Sequence, residues 1–203
     1  MNNVANEEKY LQLREQQSFY FQEHFKSDKT ETYISPSLKF TLTVEHFYYS
    51  EGIVGKNYTR GTVTNNVDES KIIIDRNYSH FLFKWVTQGE HEYLLCGQDY
   101  QGYTMVDLSN NEIIDFVPEE AYEGDGFCWA AIYNYNTHNI LVVEGCFWAA
   151  EYEIVFYDFS EPLKLPYKEI MRITPYEKVV GWAEAGYFEY LDENLNLIKA
   201  KVL

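Results

Sequence analysis

Carboxylates and tryptophans occur together in the middle of the chain, a combination that suits the binding or hydrolysis of sugars. Glu144 lies four positions before Trp148, and Glu151 and Glu153 follow. Trp129 lies across a predicted hairpin turn. An aromatic ring can stack on a sugar, and two carboxyl groups can divide the acid and base roles of glycoside hydrolysis. The alternative is that both tryptophans are core residues, as most are in an aromatic-rich β protein.

A second group of carboxylates surrounds a proline and a glycine in a predicted loop. Its members are Asp115, Glu119, Glu120, Glu123 and Asp125. Oxygen atoms of such a loop can converge on Ca²⁺, although the spacing does not match an EF-hand. We favour a solvated loop between strands and predict no cofactor. The alternative is Ca²⁺, with these residues as its candidate ligands.

A third candidate site is a segment bounded by Gly97 and Gly102. The glycines predict a turn, on which Asp99 and Tyr100 would contact a ligand or partner. The chain contains no phosphate-binding glycine loop, no nucleophile elbow and no histidine pair at metal-ligand spacing. The sequence therefore predicts no catalytic residue.

Acidic charge is concentrated in the middle of the chain. The formal net charge is -16 at pH 7, and residues 81–160 carry 14 acidic residues but only one basic residue, Lys84. Such a field repels phosphate backbones and attracts cations and basic protein surfaces. It disfavours direct nucleic-acid binding through this region. The alternative is that the charge only keeps an aromatic-rich protein in solution.

The sequence predicts a cytoplasmic protein without a membrane partner. The N-terminus lacks the basic flank and apolar stretch of a secretory signal, and no run approaches the roughly 20 apolar residues that cross a bilayer. The three cysteines, Cys96, Cys128 and Cys146, show no C-x-x-C spacing. This argues against a disulfide framework and against a zinc knuckle.

Hydrophobic periodicity predicts a mainly β protein of antiparallel strands with an N-terminal α-helix. From about Glu7 to Lys26, aromatic and aliphatic residues recur at three- and four-residue steps. From Leu38 the period changes to two, and strand signals separated by turn residues continue to the end of the chain. We divide the chain into an N-terminal helix, residues 1–30, and one all-β domain, residues 31–203.

One hairpin can be aligned from the sequence. A turn centred on Thr137 places Cys128 opposite Cys146, and Ala131 opposite Val143. Facing cysteines could oxidise to a disulfide. A cytosolic setting instead favours two small buried hydrophobic residues.

Three strand groups repeat the same order of residues. Trp85, Trp129 and Trp182 each open a group, at intervals of 44 and 53 residues. A later strand of each group ends with an aspartate before a turn, namely Asp107, Asp158 and Asp192. A last strand follows each turn.

This order resembles the blades of a β-propeller over residues 38–203. The intervals scatter around a blade length of roughly 40 to 50 residues. The resemblance implies meanders of antiparallel strands, about four blades at most. The Gly-His and Trp-Asp signatures of WD40 repeats are absent. A β-sandwich or an open stack of meanders is the alternative.

These features favour a non-catalytic binding module. We predict that an acidic, aromatic surface within residues 98–158 binds a basic protein or peptide. The competing hypothesis is a carbohydrate-active or metal-dependent hydrolase that uses Glu144, Glu151 and Glu153, or the carboxylates of residues 115–125.

Overall fold

The structure is a computed structural model that describes residues 2–52, 54–97, 102–135 and 139–202. The protein is mainly β, with an N-terminal helix and four antiparallel sheets, as predicted. The helix, α1, comprises Glu8–Gln17, and two 3-10 turns follow at Ser18–Phe21 and Glu23–Phe25. In the described part of the chain, no helix has the length and hydrophobicity to span a membrane.

Each sheet is a meander in which every strand pairs with the next along the chain. The first sheet contains β1 (Lys26–Ile34), β2 (Phe40–Glu51), β3 (Val54–Asn65) and β4 (Lys71–Arg76). The second contains β5 (Phe83–Gln88), β6 (His91–Gly97), β7 (Tyr103–Asp107) and β8 (Glu112–Phe116). The third contains β9 (Cys128–Tyr135), β10 (Ile140–Cys146), β11 (Glu153–Asp158) and β12 (Glu169–Ile173). The fourth contains β13 (Lys178–Trp182), β14 (Tyr187–Leu191) and β15 (Leu197–Lys201).

The two inner sheets are buried on both faces. In β6, Leu94 and Cys96 pack against the first sheet, whereas Tyr93 and Leu95 pack against the third. The β10 strand is divided in the same way between the second and fourth sheets. Strands covered on both faces form continuous apolar runs instead of alternating apolar and polar residues.

The sheets pack against each other in chain order. One core cluster joins the first sheet to the second, another joins the second to the third, and a third joins the third to the fourth. Among the described residues, no core cluster joins the fourth sheet to the first. The meanders therefore have the strand order of propeller blades, as the resemblance implied. They form an open row, neither a closed ring nor the two layers of a sandwich.

The N-terminal segment differs from its prediction. The helix ends at Gln17, and β1 begins at Lys26, where the sequence still predicted helix. Of the expected apolar stripe, Tyr10 and Phe21 are buried, but Leu13 is 42% exposed. Periodicity missed β1 because this strand is mostly polar and exposed, and it pairs only with β2. Its formation depends on backbone pairing at a sheet edge.

In each of the four sheets, an Asx turn follows the penultimate strand and leads into the last strand. A side-chain oxygen there accepts a hydrogen bond from the backbone N–H two residues further on. The four acceptors are Asn65, Asp107, Asp158 and Asp192, at 2.9, 2.9, 3.0 and 2.9 Å. The aspartates that mark strand ends in the sequence therefore form turns, and an asparagine takes the same place in the first sheet.

The β9–β10 hairpin contains a bulge that is absent from the strand pairing predicted from the sequence. Cys128 pairs with Cys146 as predicted, but Ile132 rather than Ala131 faces Val143. The register shifts by one residue between these pairs. A bulge of this kind inserts one unpaired residue and changes which face the following side chains occupy.

Candidate functional site

The two ends of the sheets differ in their connections. At one end, the connections with the Asx turns contain four or five residues in the first, second and fourth sheets, and residues 159–168 in the third. At the other end, residues 117–127 lead from the second sheet to the third, and residues 147–152 join β10 to β11. Cys128 and Cys146 are the strand residues nearest to these connections in the third sheet. Longer connections on a rigid scaffold are where binding residues concentrate.

Six residues of these two connections form what we call the acidic-aromatic surface. They are Glu119, Glu120, Glu123, Asp125, Phe147 and Trp148. Trp148 is 77% exposed and Phe147 is 40% exposed. The four carboxylates are also exposed. Aromatic residues are enriched at protein interfaces.

A groove of about 480 Å³ lies between α1 and the acidic-aromatic surface. Tyr10 and Leu13 of α1 line it together with Trp148. Glu123 and Asp125 also border it. The groove therefore combines apolar contact area with negative charge.

Three carboxylates of this surface have no basic partner among the residues that the structure describes. Within the described residues, no lysine, arginine or histidine lies within salt-bridge distance of Glu120, Glu123 or Asp125. Lys9 of α1 instead lies over the ring of Tyr122, 3.8 Å from its centroid. The negative charge is consequently not neutralised within the described structure.

Trp129 is a core residue, as in the alternative to a sugar-binding role. It is only 9% exposed, and its ring stacks on Tyr103 with centroids 4.4 Å apart and planes at 16°. Tyr103 stacks in turn on Tyr167 at 5.0 Å and 8°. Burial raises the pKa of both tyrosines above their ordinary value. The stack excludes water and leaves little of Trp129 for a sugar.

Glu144 accepts hydrogen bonds from two tyrosine hydroxyls. Tyr133 donates to Oε2 at 2.9 Å, and Tyr176 donates to Oε1 at 2.6 Å. Burial, followed by the hydrogen bond to the carboxylate, raises the pKa of Tyr133 to about 12, and the same causes raise the pKa of Tyr176. Because Tyr176 immediately precedes the fourth sheet, Glu144 connects the third sheet to the fourth.

Glu144 and Glu153 point to opposite faces of the third sheet. Across the β10–β11 ladder, Glu144 faces Ile154, and Gly145 faces Glu153. Successive pairs in a ladder lie on alternate faces. The two carboxylates therefore do not share a site, as a pair of glycosidase carboxyl groups must.

Arg172 neutralises Glu153 and was not identified from the sequence. Its Nη1 donates to Glu153, and its Nη2 and Nε donate to Glu169 at 2.7 and 3.0 Å. The guanidinium also lies 5.2 Å from the ring centroid of Phe127 and 5.8 Å from that of Phe147. The hydrogen bonds that Arg172 donates to Glu169, followed by the one that it donates to Glu153, raise the pKa of its guanidinium. Glu153 and Arg172 meet because β11 pairs with β12, a pairing that the sequence did not reveal.

The structure does not bring together the predicted calcium ligands Asp115, Glu119, Glu120, Glu123 and Asp125. In the described part of the chain, no three His, Cys, Asp or Glu side chains are placed to hold a metal ion. The Thr104 hydroxyl donates to Asp115 in β8, and Asn2 donates to Glu119 at 3.1 Å. Asp115 therefore belongs to a strand, whereas Glu120, Glu123 and Asp125 are exposed in the connection that follows it.

Glu151 is exposed in the connection between β10 and β11. Asp99 and Tyr100 lie outside the described residues. Sequence patterns missed Tyr10 and Leu13 as groove residues, because their role follows from where α1 docks.

Comparison with known proteins identifies a relative of unassigned role. The chain is 34% identical over 176 residues to an uncharacterized protein of Acanthamoeba polyphaga mimivirus. The match covers 86% of this chain and 62% of that protein, so the chain spans less than two thirds of the relative's length. No protein family model matches the sequence. The relative's name states no activity or ligand.

Proposed function

We propose that the protein is a non-catalytic binding module whose acidic-aromatic surface binds a basic segment of another protein. One observation carries the proposal. The highly exposed Trp148 borders the same groove as Glu123 and Asp125, two carboxylates without a basic partner among the described residues. Such a groove suits a segment that combines lysine or arginine with apolar side chains.

Other carboxylates of the central region have partners inside the fold. Asp107 and Asp158 accept hydrogen bonds in turns. Glu144 binds tyrosines, and Glu153 pairs with Arg172. Among the carboxylates of the central region without such a partner, Glu123 and Asp125 are the ones that border the groove. Complementary charge of this kind accelerates association and selects partners by sign, and it also repels nucleic acid.

The apolar part of the groove supplies the contact area. Trp148 and Leu13 are both exposed, and they line the groove from different parts of the chain. Tryptophans in such positions often dominate binding energy when a partner covers them. An apolar side chain of the partner would insert here, with basic side chains reaching Glu123 and Asp125.

The experiment measures binding of a fluorescein-labelled peptide of alternating lysine and leucine by fluorescence anisotropy. A peptide with glutamate in place of lysine serves as the control ligand. We expect the basic peptide alone to bind, with an affinity that falls as salt increases. Trp148→Ala should cost about 2 kcal/mol, close to thirtyfold in Kd. The double variant Glu123→Lys/Asp125→Lys should also lose binding.

A matched charge reversal distinguishes binding at the groove from a general attraction to the protein's net negative charge. Glu90→Lys/Glu193→Lys changes the net charge equally, but these residues lie in turns of the second and fourth sheets, away from the groove. This control should bind almost as well as the unmodified protein. If it weakens binding as much as Glu123→Lys/Asp125→Lys does, or if Trp148→Ala binds normally, the proposed site is wrong.

A further inference from the structure

Cys128 and Cys146 face each other across adjacent antiparallel strands. They are direct Cα partners in the β9–β10 ladder. Facing residues in such a ladder have Cα atoms about 4.5 or 5.5 Å apart, and both values lie within the range that a disulfide spans. Side chains of a facing pair also leave the sheet on the same side. The geometry needed for a disulfide is therefore present in the backbone.

The pair is accessible to small molecules. Both cysteines are free and half-buried, and both line a cavity of about 300 Å³ that also contacts Trp148. Burial, followed by the nearby Cys146, raises the pKa of the Cys128 thiol. The Cys128 thiol donates only a weak hydrogen bond, 3.8 Å to the Gly126 carbonyl oxygen.

Cys96 is the natural contrast. It lies in β6, is 0% exposed, and packs in the core between the first and second sheets. Burial raises its pKa to about 12. A thiol that is protonated and shielded from solvent does not react with dissolved oxidants. The chain thus contains one inert cysteine beside one facing pair.

We propose that Cys128 and Cys146 are a modification site, a dithiol that a low-molecular-weight disulfide oxidises reversibly. One cysteine thiolate attacks the small disulfide, breaks its S–S bond, releases one small thiol and leaves a mixed disulfide. The second cysteine thiolate attacks the protein sulfur of that bond and releases the other small thiol. The protein loses two electrons and two protons, and the small disulfide gains both.

The new bond would fix one edge of the acidic-aromatic surface. Phe147 and Trp148 directly follow Cys146, and residues 117–127 directly precede Cys128. A disulfide would join the strand ends from which both connections leave. The oxidation does not depend on what this surface binds.

The test incubates the full chain with oxidised glutathione and counts thiols in denaturant. We expect the count to fall from three to one, and to return to three with a reducing agent. The intact mass should fall by the mass of two hydrogen atoms. The Tm should rise by about 5 to 10 °C, because the bond closes a loop in the unfolded chain.

Mapping the bond requires cleavage at glutamate. Lys84 is the only basic residue between positions 81 and 160, so trypsin leaves all three cysteines in one peptide. Cleavage after Glu144 separates Cys128 from Cys146, and cleavage after Glu112 releases Cys96. The two resulting pieces should remain joined until they are reduced.

Single variants complete the test. Cys96→Ser should still lose both remaining thiols on oxidation. Cys128→Ser should keep Cys96 reduced and carry glutathione on Cys146, since no second thiol can displace it. Three free thiols after oxidation of the unmodified chain would overturn the proposal. A bond to Cys96, or a bond between two chains, would overturn it as well.

Discussion

The buried Asx turn in the second sheet should contribute far more stability than its counterpart in the fourth. Asp107 is 1% exposed and accepts three hydrogen bonds. They come from the backbone N–H groups of Ser109 and Asn110, at 2.9 and 3.2 Å, and from Nδ2 of Asn110 at 2.8 Å. Asp192 accepts the same three kinds of bond but is not buried. Comparing Asp107 with Asp192 therefore isolates the effect of burial on the stability that such a turn contributes.

We expect Asp107→Ala to lower the free energy of unfolding by about 3 kcal/mol. A hydrogen bond contributes about 1 kcal/mol net, and more when its acceptor is charged and buried. Three bonds are lost, although Ser109 and Asn110 are exposed and their N–H groups can turn to water. For a chain of this size, the Tm should fall by about 6 to 12 °C.

Urea unfolding followed by tryptophan fluorescence provides the assay. With an m-value of about 2 kcal/mol/M, the midpoint should shift by about 1.5 M. Asp192→Ala, the matched control, should shift the midpoint much less, because solvent screens an exposed carboxylate and replaces its hydrogen bonds. Equal shifts for the two variants would refute the reasoning, since burial would then not determine the strength of the turn.

Three further changes test other parts of the fold. Gly61→Ala would place a Cβ 2.3 Å from the ring of the buried Phe81, and urea unfolding should show a loss of about 1–3 kcal/mol. Arg172→Ala should cost about 1–2 kcal/mol in the same assay by leaving two carboxylates unpaired, whereas Lys164→Ala, which breaks an exposed pair, should be neutral. Backbone hydrogen bonding lowers the pKa of Asp158 below 3.8. Asp158 therefore stabilises the fold above that pH, and this contribution is lost as the pH falls through the lower, folded-state pKa. Asp158→Asn should consequently cost less stability near pH 2.5 than near pH 6, by urea unfolding at both pH values.

The sequence predicts most strands because their signals are local. Trp85, Trp129 and Trp182 each lie in the first strand of their sheet, as the repeated order indicated. Alternation and turn residues determine such elements without knowledge of the rest of the chain. The edge strand β1 was missed for the complementary reason: its polar residues form a strand only because β2 lies beside it.

The candidate site was less predictable because it depends on register and docking. Glu144 and Glu153 appear as neighbours in the sequence, but the ladder places them on opposite faces. Glu153 meets Arg172 only through the pairing of β11 with β12. The groove requires α1 to dock beside Trp148, which no local pattern shows. Sequence spacing identifies which residues are available, whereas tertiary pairing decides which of them meet.

The combination of exposed acid and exposed tryptophan supports the proposed binding function over a role in solubility alone. If the carboxylates of residues 119–125 only kept the protein in solution, exposed aromatic residues would be avoided beside them, since an exposed tryptophan promotes association. Trp148 is nevertheless 77% exposed in the adjacent connection. The Asx turns at the opposite end show that acidic residues needed by the fold are given hydrogen-bond donors. Glu123 and Asp125 have no basic partner among the described residues, so the fold does not explain their charge. The proposed partner, basic and partly apolar, would account for the charge and the aromatic ring together.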